Sequence, residues 1–343
     1  MLFLPYYFIF WFLLGLSTIL VFCSSVWFTM WLGLEINMLS FVVLLISGES
    51  MRESEAGIKY FLVQVLGSIL FLFGSLLMSF WGQASSYLFG MFYLFIVVAV
   101  ALKLGMGPVH FWFPGVMDGI RWMNCGLLMT WQKLGPFCIL AGLKLGFMSI
   151  LMFFFSTLSG LIGGFGGLNQ VSLRKLLAFS SIGHLGWLTG SLLVSDLIWR
   201  VYFLMYSFLS FFLVMLLMVY GWFYLGQVFN YGWKNNLKGL VVMLMFFSLG
   251  GLPPFGGFFM KWMVFSSLLI NGMWLLAFIL IGGSLMNLYY YLRVTYGLGM
   301  LSSETGYWGY LTEEGNSNVL VMLGILLGMF GMFFSSLLMF LIG

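Results

Sequence analysis

Long apolar runs separated by short polar stretches dominate this chain. A helix crossing about 30 Å of hydrocarbon needs about 20 apolar residues. By that measure the pattern predicts spans at 2–22, 26–46, 57–79, 87–107, 121–142, 148–168, 172–193, 197–221, 239–264, 271–293 and 319–342. Eleven helices joined by short loops leave no room for a soluble domain. No basic leader with a small-residue cleavage site precedes the first span, so that span is expected to be retained.

Two of the runs are interrupted. One carries Gly105-Met106-Gly107-Pro108 followed by His110-Phe111-Trp112-Phe113-Pro114, the other Gly250-Gly251-Leu252-Pro253-Pro254-Phe255-Gly256-Gly257. Proline removes a donor and clashes with the preceding turn, and glycine frees the backbone, so both clusters should break a helix within the membrane. Backbone freed at that depth must be satisfied by protein or by water. Pro108 and Pro254 are 146 residues apart (254 − 108), and the same shift lays span 2–22 on 148–168. The expected fold is therefore an all-α polytopic membrane protein with two five-helix repeats, 1–146 and 147–292, and a loop with a final helix over 293–343. Five is odd, so the second repeat must be inverted. Paired inverted repeats with broken helices are a sequence sign of translocators with sites near the midplane.

Composition removes other classes. The chain of 343 residues is 63% hydrophobic and 6% charged, against about a quarter charged in globular proteins. Its net charge of +4 comes from scattered residues, without the basic run that would follow a phosphate backbone, so nucleic acid is not an expected partner. Three cysteines, Cys23, Cys125 and Cys138, cannot supply the usual four thiolates of an iron–sulfur cluster, and two histidines are too few for two haems. No cofactor or metal is expected in this chain. Between spans, Arg52, Arg121, Arg174, Lys175, Lys234, Lys238 and Arg293 fall on the side of the N-terminus, and only Lys144 and Arg200 on the other. The bias puts the N-terminus on the cytosolic or matrix side and the C-terminus opposite.

The charges inside spans carry the chemistry. Glu35 and Lys133 are central in their helices, and Lys103 and Lys261 adjoin the breaks. A midplane charge costs on the order of 2.5–3.5 kcal/mol on insertion scales, so these groups should face one another, freed backbone or water. Burial disfavours the charged form of an amine and a neighbouring carboxylate favours it, so such a row can be switched between protonation states. His184, in Ser180-Ser181-Ile182-Gly183-His184, lies mid-helix among small polar residues able to hold water. Plainer roles stand beside each: a structural ion pair for Glu35 and Lys133, capping of released carbonyls for Lys103 and Lys261, and packing for His110 and His184. Lys59, expected in the first turn of its helix, can snorkel to the interface.

Several strings carry a resemblance. Trp31-Leu32-Gly33-Leu34-Glu35-Ile36-Asn37, Lys103-Leu104-Gly105-Met106-Gly107-Pro108, His110-Phe111-Trp112 and Leu128-Met129-Thr130-Trp131-Gln132-Lys133 are similar to the subunit 2 family of mitochondrial NADH:ubiquinone oxidoreductase, respiratory complex I. So are Gly166-Gly167-Leu168-Asn169-Gln170 and Ser248-Leu249-Gly250-Gly251-Leu252-Pro253-Pro254-Phe255-Gly256-Gly257-Phe258 with Lys261-Trp262. The motifs run in the family's order over about residues 27 to 293. The resemblance implies an antiporter-like subunit of the proton-pumping membrane arm in the mitochondrial inner membrane, similar to a fourteen-helix antiporter without its first three helices. Its partners would be the neighbouring antiporter-like and other membrane-arm subunits, lipids and protons, with NADH, FMN, iron–sulfur clusters and ubiquinone held by other subunits. Glu35 and Lys103 would be the coupling pair, Lys133 the central proton carrier, His184 a bridge and Lys261 a second-half relay. A free-standing cation/proton antiporter would use the same row of lysines.

Overall fold

The computed structural model describes residues 5–47, 50–80, 86–143, 146–231 and 236–299. These form fourteen helices: α1 (Pro5–Cys23), α2 (Trp27–Ile46), α3 (Met51–Phe80), α4 (Ser86–Leu104), α5 (Trp112–Gly119), α6 (Trp122–Met129), α7 (Trp131–Gly142), α8 (Gly146–Gly167), α9 (Leu173–Leu192), α10 (Asp196–Tyr220), α11 (Leu225–Tyr231), α12 (Asn236–Gly250), α13 (Gly256–Ile270) and α14 (Trp274–Gly299). Extended pairing among the described residues is one bridge, Ser172 to Tyr224. Among the described residues, five stretches are each long and apolar enough to cross a membrane: Trp27–Ile46, Met51–Phe80, Ser149–Gly167, Asp196–Tyr220 and Trp274–Leu298. The expected span 319–342, with Lys144 and Lys234, lies outside the described residues.

The chain divides into two compact units, Met1–Leu158 and Ser159–Gly343, at a point inside α8. In the first, α3 packs on α2, α4 and α5, and α7 packs on α1, α2 and α4. Helix α3 turns its polar side inward. Tyr60, Gln64 and Ser68 are buried, while Ile58, Leu62, Leu66, Ile69, Phe73 and Leu76 are exposed along the opposite face. Their spacing of three and four residues makes one continuous apolar stripe, as a lipid-facing helix requires.

In the second unit, α9 packs on α10, α13 and α14, and α12 on α10, α13 and α14. Glycines set the close approaches. A Cβ on Gly163 would strike the backbone of Gly183 in α9, and one on Gly283 would strike that of Gly160. Small residues four apart, such as Gly160 and Gly164, let membrane helices approach through their backbones.

Both expected breaks are present and end in the same way. Gly105 (φ +71°) and Gly251 (φ +81°) take the left-handed conformation. Gly105 N–H donates to Leu102 O (3.2 Å) and Met106 N–H to Ala101 O (3.0 Å). Gly251 N–H donates to Ser248 O (3.2 Å) and Leu252 N–H to Phe247 O (3.3 Å). This paired closure satisfies the last carbonyls of α4 and α12 and needs a residue without a Cβ penalty at the turn.

Two expectations need correction. The span 121–142 is not one helix: α6 stops at Met129, and α7 starts at Trp131. At the junction Thr130 has φ −116° and ψ −73°, and its hydroxyl donates to Gly126 O at 2.7 Å. A hydroxyl bonded four residues back bends a helix. Pro136, inside α7, also withholds the N–H that the Gln132 carbonyl would accept. The span 57–79 begins instead at Met51, because Ser50 Oγ accepts from Glu53 N–H (3.3 Å) and caps the helix. Lys59 is therefore not in the first turn, and it pairs with Glu55 four residues earlier on the exposed surface.

Candidate functional site

The side chains with the strongest claim on chemistry in the first unit converge on one cavity. It encloses about 410 Å³ of empty space, including its opening, and its polar lining comes from Asn37 of α2, Tyr60 and Gln64 of α3, Lys103 of α4, and Gln132 and Lys133 of α7. Each helix delivers its residue for a local reason. The inward polar stripe of α3 places Tyr60 and Gln64 one turn apart. The break after Leu104 ends α4 just past Lys103, and the Thr130 break starts α7 two residues before Lys133.

Glu35 and Lys103 are brought together: Oε1 to Nζ is 3.8 Å. The distance makes an ion pair without a hydrogen bond, and both atoms are buried with no hydrogen-bond partner. Asn37 Oδ1 and Gln132 Nε2 are in the same condition. Two acceptors and two donors at or beside a polar space large enough for a water molecule suit bridging water better than a hard metal cation, which takes oxygen ligands.

Lys133 is only 2% exposed. Its Nζ lies 5.5 Å from the centre of the Phe113 ring, a contact that favours the ammonium. Phe113 itself packs against the left-handed turn at Gly105, where a Cβ would approach it to 3.2 Å. The first break thus supports the wall beside Lys133 as well as Lys103.

Carbonyls at the breaks are met by side chains. Gln64 Nε2 donates to Lys103 O (3.2 Å) and Trp112 Nε1 to Leu102 O (3.1 Å). At the second break Lys261 Nζ donates to Gly250 O at 2.7 Å. The two lysines near breaks therefore differ: Lys103 faces a carboxylate, whereas Lys261 caps a helix end. His110 sits beside the first break with Nδ1 3.0 Å from Pro108 O.

In the second unit His184 is 1% exposed. Its Nδ1 is 2.8 Å from Tyr202 Oη, and its ring lies 4.9 Å from that of Tyr206. Ser180 and Ser181, expected to hold water beside it, turn their hydroxyl protons to Leu177 O (2.7 Å) and Ala178 O (2.8 Å). That local bond is the ordinary alternative for a helical serine.

The chain as a whole is similar to known proteins. A family model described as "NADH:quinone oxidoreductase/Mrp antiporter, TM" matches residues 24–287. NADH-ubiquinone oxidoreductase chain 2 of Anopheles gambiae is 40% identical over 304 residues, 88% of each chain. The chain belongs to this family. The Aedes aegypti member is 38% identical over 318 residues, covering 92% of each chain. Among solved structures, a chain of respiratory complex I from Thermus thermophilus superposes with TM-score 0.82 at 24% identity, covering 95% of this chain and 77% of its own. A chain of the Mrp complex from Dietzia gives 0.71 at 18%, covering 83% and 59%. At those identities the likeness is one of fold.

Glu35, Lys103 and Lys133 stand out in the sequence of this family member as charges within apolar runs. Asn37, Tyr60, Gln64 and Gln132 were missed, although a signal exists. Each is a polar residue within an apolar run: Asn37 two residues after Glu35, Gln132 just before Lys133, and Tyr60 and Gln64 four apart.

Proposed function

We propose that this chain moves protons as a membrane-arm subunit of NADH-ubiquinone oxidoreductase, in the mitochondrial inner membrane, through Glu35, Lys103, Lys133, His184 and Lys261. One observation carries the reading: Lys103, weakly joined to Glu35, lines a polar cavity together with buried Lys133. A pair at 3.8 Å without a hydrogen bond is readily parted. Parting it changes the field at Lys133 across a low-dielectric space, and the proton on Lys133 responds. Moving a proton against 100 mV requires about 2.3 kcal/mol, which the change in pairing has to match.

In this reading NADH, FMN, the iron–sulfur clusters and ubiquinone are held by other subunits, and their electron transfer reaches Glu35 as a shift of charge or conformation. The finer architecture belongs to the same reading: eleven spans, inverted repeats over 1–146 and 147–292, a C-terminal segment 293–343, and the N-terminus on the matrix side. The matched helix ends support the repeats, since Gly105 and Gly251 are separated by 146 residues (251 − 105), the interval between Pro108 and Pro254. Neighbouring antiporter-like subunits and lipid would cover the apolar faces. A free-standing cation/proton antiporter is disfavoured, because the relatives at 34–40% identity are named as oxidoreductase chains.

The test is a complex carrying Lys133→Ala, reconstituted in sealed vesicles. Protons moved per NADH oxidised should fall while assembly persists. Full pumping in an assembled complex would refute the relay.

A further inference from the structure

His184 lies against two tyrosines of α10 that the relay reading does not use. Tyr202 and Tyr206 are one turn apart on α10, and both are buried along with Tyr290 and Tyr291 of α14. The two tyrosines of α10 treat the imidazole differently. Tyr206 presents its ring face, 4.9 Å away and inclined at 37°. Its hydroxyl has Ser181 and Ser210 beside it. Those serines give their own protons to Ala178 O (2.8 Å) and Ser207 O (3.2 Å), so their oxygens are left to accept. Tyr206 is thus satisfied without the imidazole nitrogens. Tyr202 directs its hydroxyl at His184 Nδ1, 2.8 Å away.

A phenol carries one proton, and the acceptor that the Tyr202 hydroxyl reaches among the described residues is Nδ1. A phenol O–H is a stronger acid than a neutral imidazole N–H, and the imine nitrogen is a stronger base than a phenol oxygen, so O–H···N is the favoured arrangement across this 2.8 Å contact. The hydroxyl therefore donates, and neutral His184 carries its proton on Nε2.

We infer that Tyr202 is a positioning residue for proton transfer at His184: it holds the imidazole in the Nε2–H form and controls access to the Nδ1 lone pair. The inference rests on the relay reading of His184. To take up a proton, Nδ1 must be released. The Tyr202 O–H turns away, one proton adds to Nδ1 to give the imidazolium, and the new N–H donates to the phenol oxygen. No O–H bond of Tyr202 breaks, and the phenol ends as it began. Uptake at His184 is thereby tied to a rotation of one hydroxyl.

A double-mutant cycle in the intact complex, reconstituted in vesicles and read as protons moved per NADH oxidised, tests this. Tyr202→Phe keeps the ring and removes the hydroxyl, and should lower the ratio about threefold or more. In a His184→Gln background the same change should produce no further loss. Tyr202→Gln, whose amide N–H can still donate to Nδ1, should pump better than Tyr202→Phe, and it also serves if the phenylalanine variant assembles poorly. Equal losses from Tyr202→Phe in both backgrounds would assign Tyr202 a purely structural role and overturn the inference while leaving the relay intact. Undiminished pumping by His184→Gln alone would remove His184 from the relay, and this inference with it.

Discussion

Glu35 Oε1 lies 3.8 Å from Lys103 Nζ, close enough for charge attraction and too far for a hydrogen bond. The pair is held by its helices and not by its own contact. Removing one partner of a buried pair leaves an uncompensated charge, at a cost of about 3–5 kcal/mol if the remaining group stays ionised. Glu35→Gln should therefore drive Lys103 toward its neutral form and cut proton pumping by about tenfold. The double variant Glu35→Gln/Lys103→Met should regain assembly, measured on native gels, and still fail to pump.

Lys133 and Phe113 form a second coupled pair, with 5.5 Å from the ammonium to the ring centre. The contact favours the charged lysine by about 0.5–2 kcal/mol. Phe113→Leu keeps the apolar wall and removes the ring face. Pumping should fall by a few-fold, with little loss of thermal stability in a melting experiment on the complex.

The left-handed glycines provide a comparison within one chain. Gly251 (φ +81°) and Gly272 (φ +74°) share a backbone conformation that costs an alanine roughly 1–2 kcal/mol. A Cβ at Gly272 would meet open space, whereas one at Gly251 would come within 3.1 Å of Lys261 Cδ and 3.2 Å of its Nζ. Gly251→Ala should destabilise more than Gly272→Ala and should also reduce pumping. Equal melting shifts and unchanged pumping would deny Lys261 its role at the break.

Helix approach in the second unit is tested at Gly163. Alanine there would meet the backbone of Gly183, which cannot yield as a side chain does. Overpacking of this kind costs about 1–3 kcal/mol. Gly163→Ala should lower the melting temperature of the complex and displace His184, the residue after Gly183. Gly282→Ala, whose Cβ meets nothing within 4 Å, should be neutral.

Much of this was legible along the chain. The apolar runs located most helices, since lipid leaves the backbone no partner but itself. The clusters at Gly105 to Pro108 and Gly250 to Gly257 located both breaks, since proline and glycine act through their own covalent geometry. Two features were hidden. The break at Thr130 depends on a hydroxyl choosing the Gly126 carbonyl, a choice most helical threonines make without ending the helix. The start of α3 at Met51 rests on the Ser50 cap, in a polar stretch that hydropathy alone reads as loop.

The sequence by itself determined that the protein is helical and suited to a membrane, where its helices break, and that Glu35, Lys103, Lys133, His184 and Lys261 are its unusual residues. Those are properties of single residues and of local spacing. Only the tertiary structure decided their company. Lys103 meets a carboxylate while Lys261 meets the Gly250 carbonyl. Asn37, Gln64 and Gln132 close a polar cavity around two lysines, and Tyr202 reaches His184 from the next helix. Which partner a buried charge finds depends on how helices distant in sequence are rotated and packed, and those rotations come from packing contacts that no local pattern encodes.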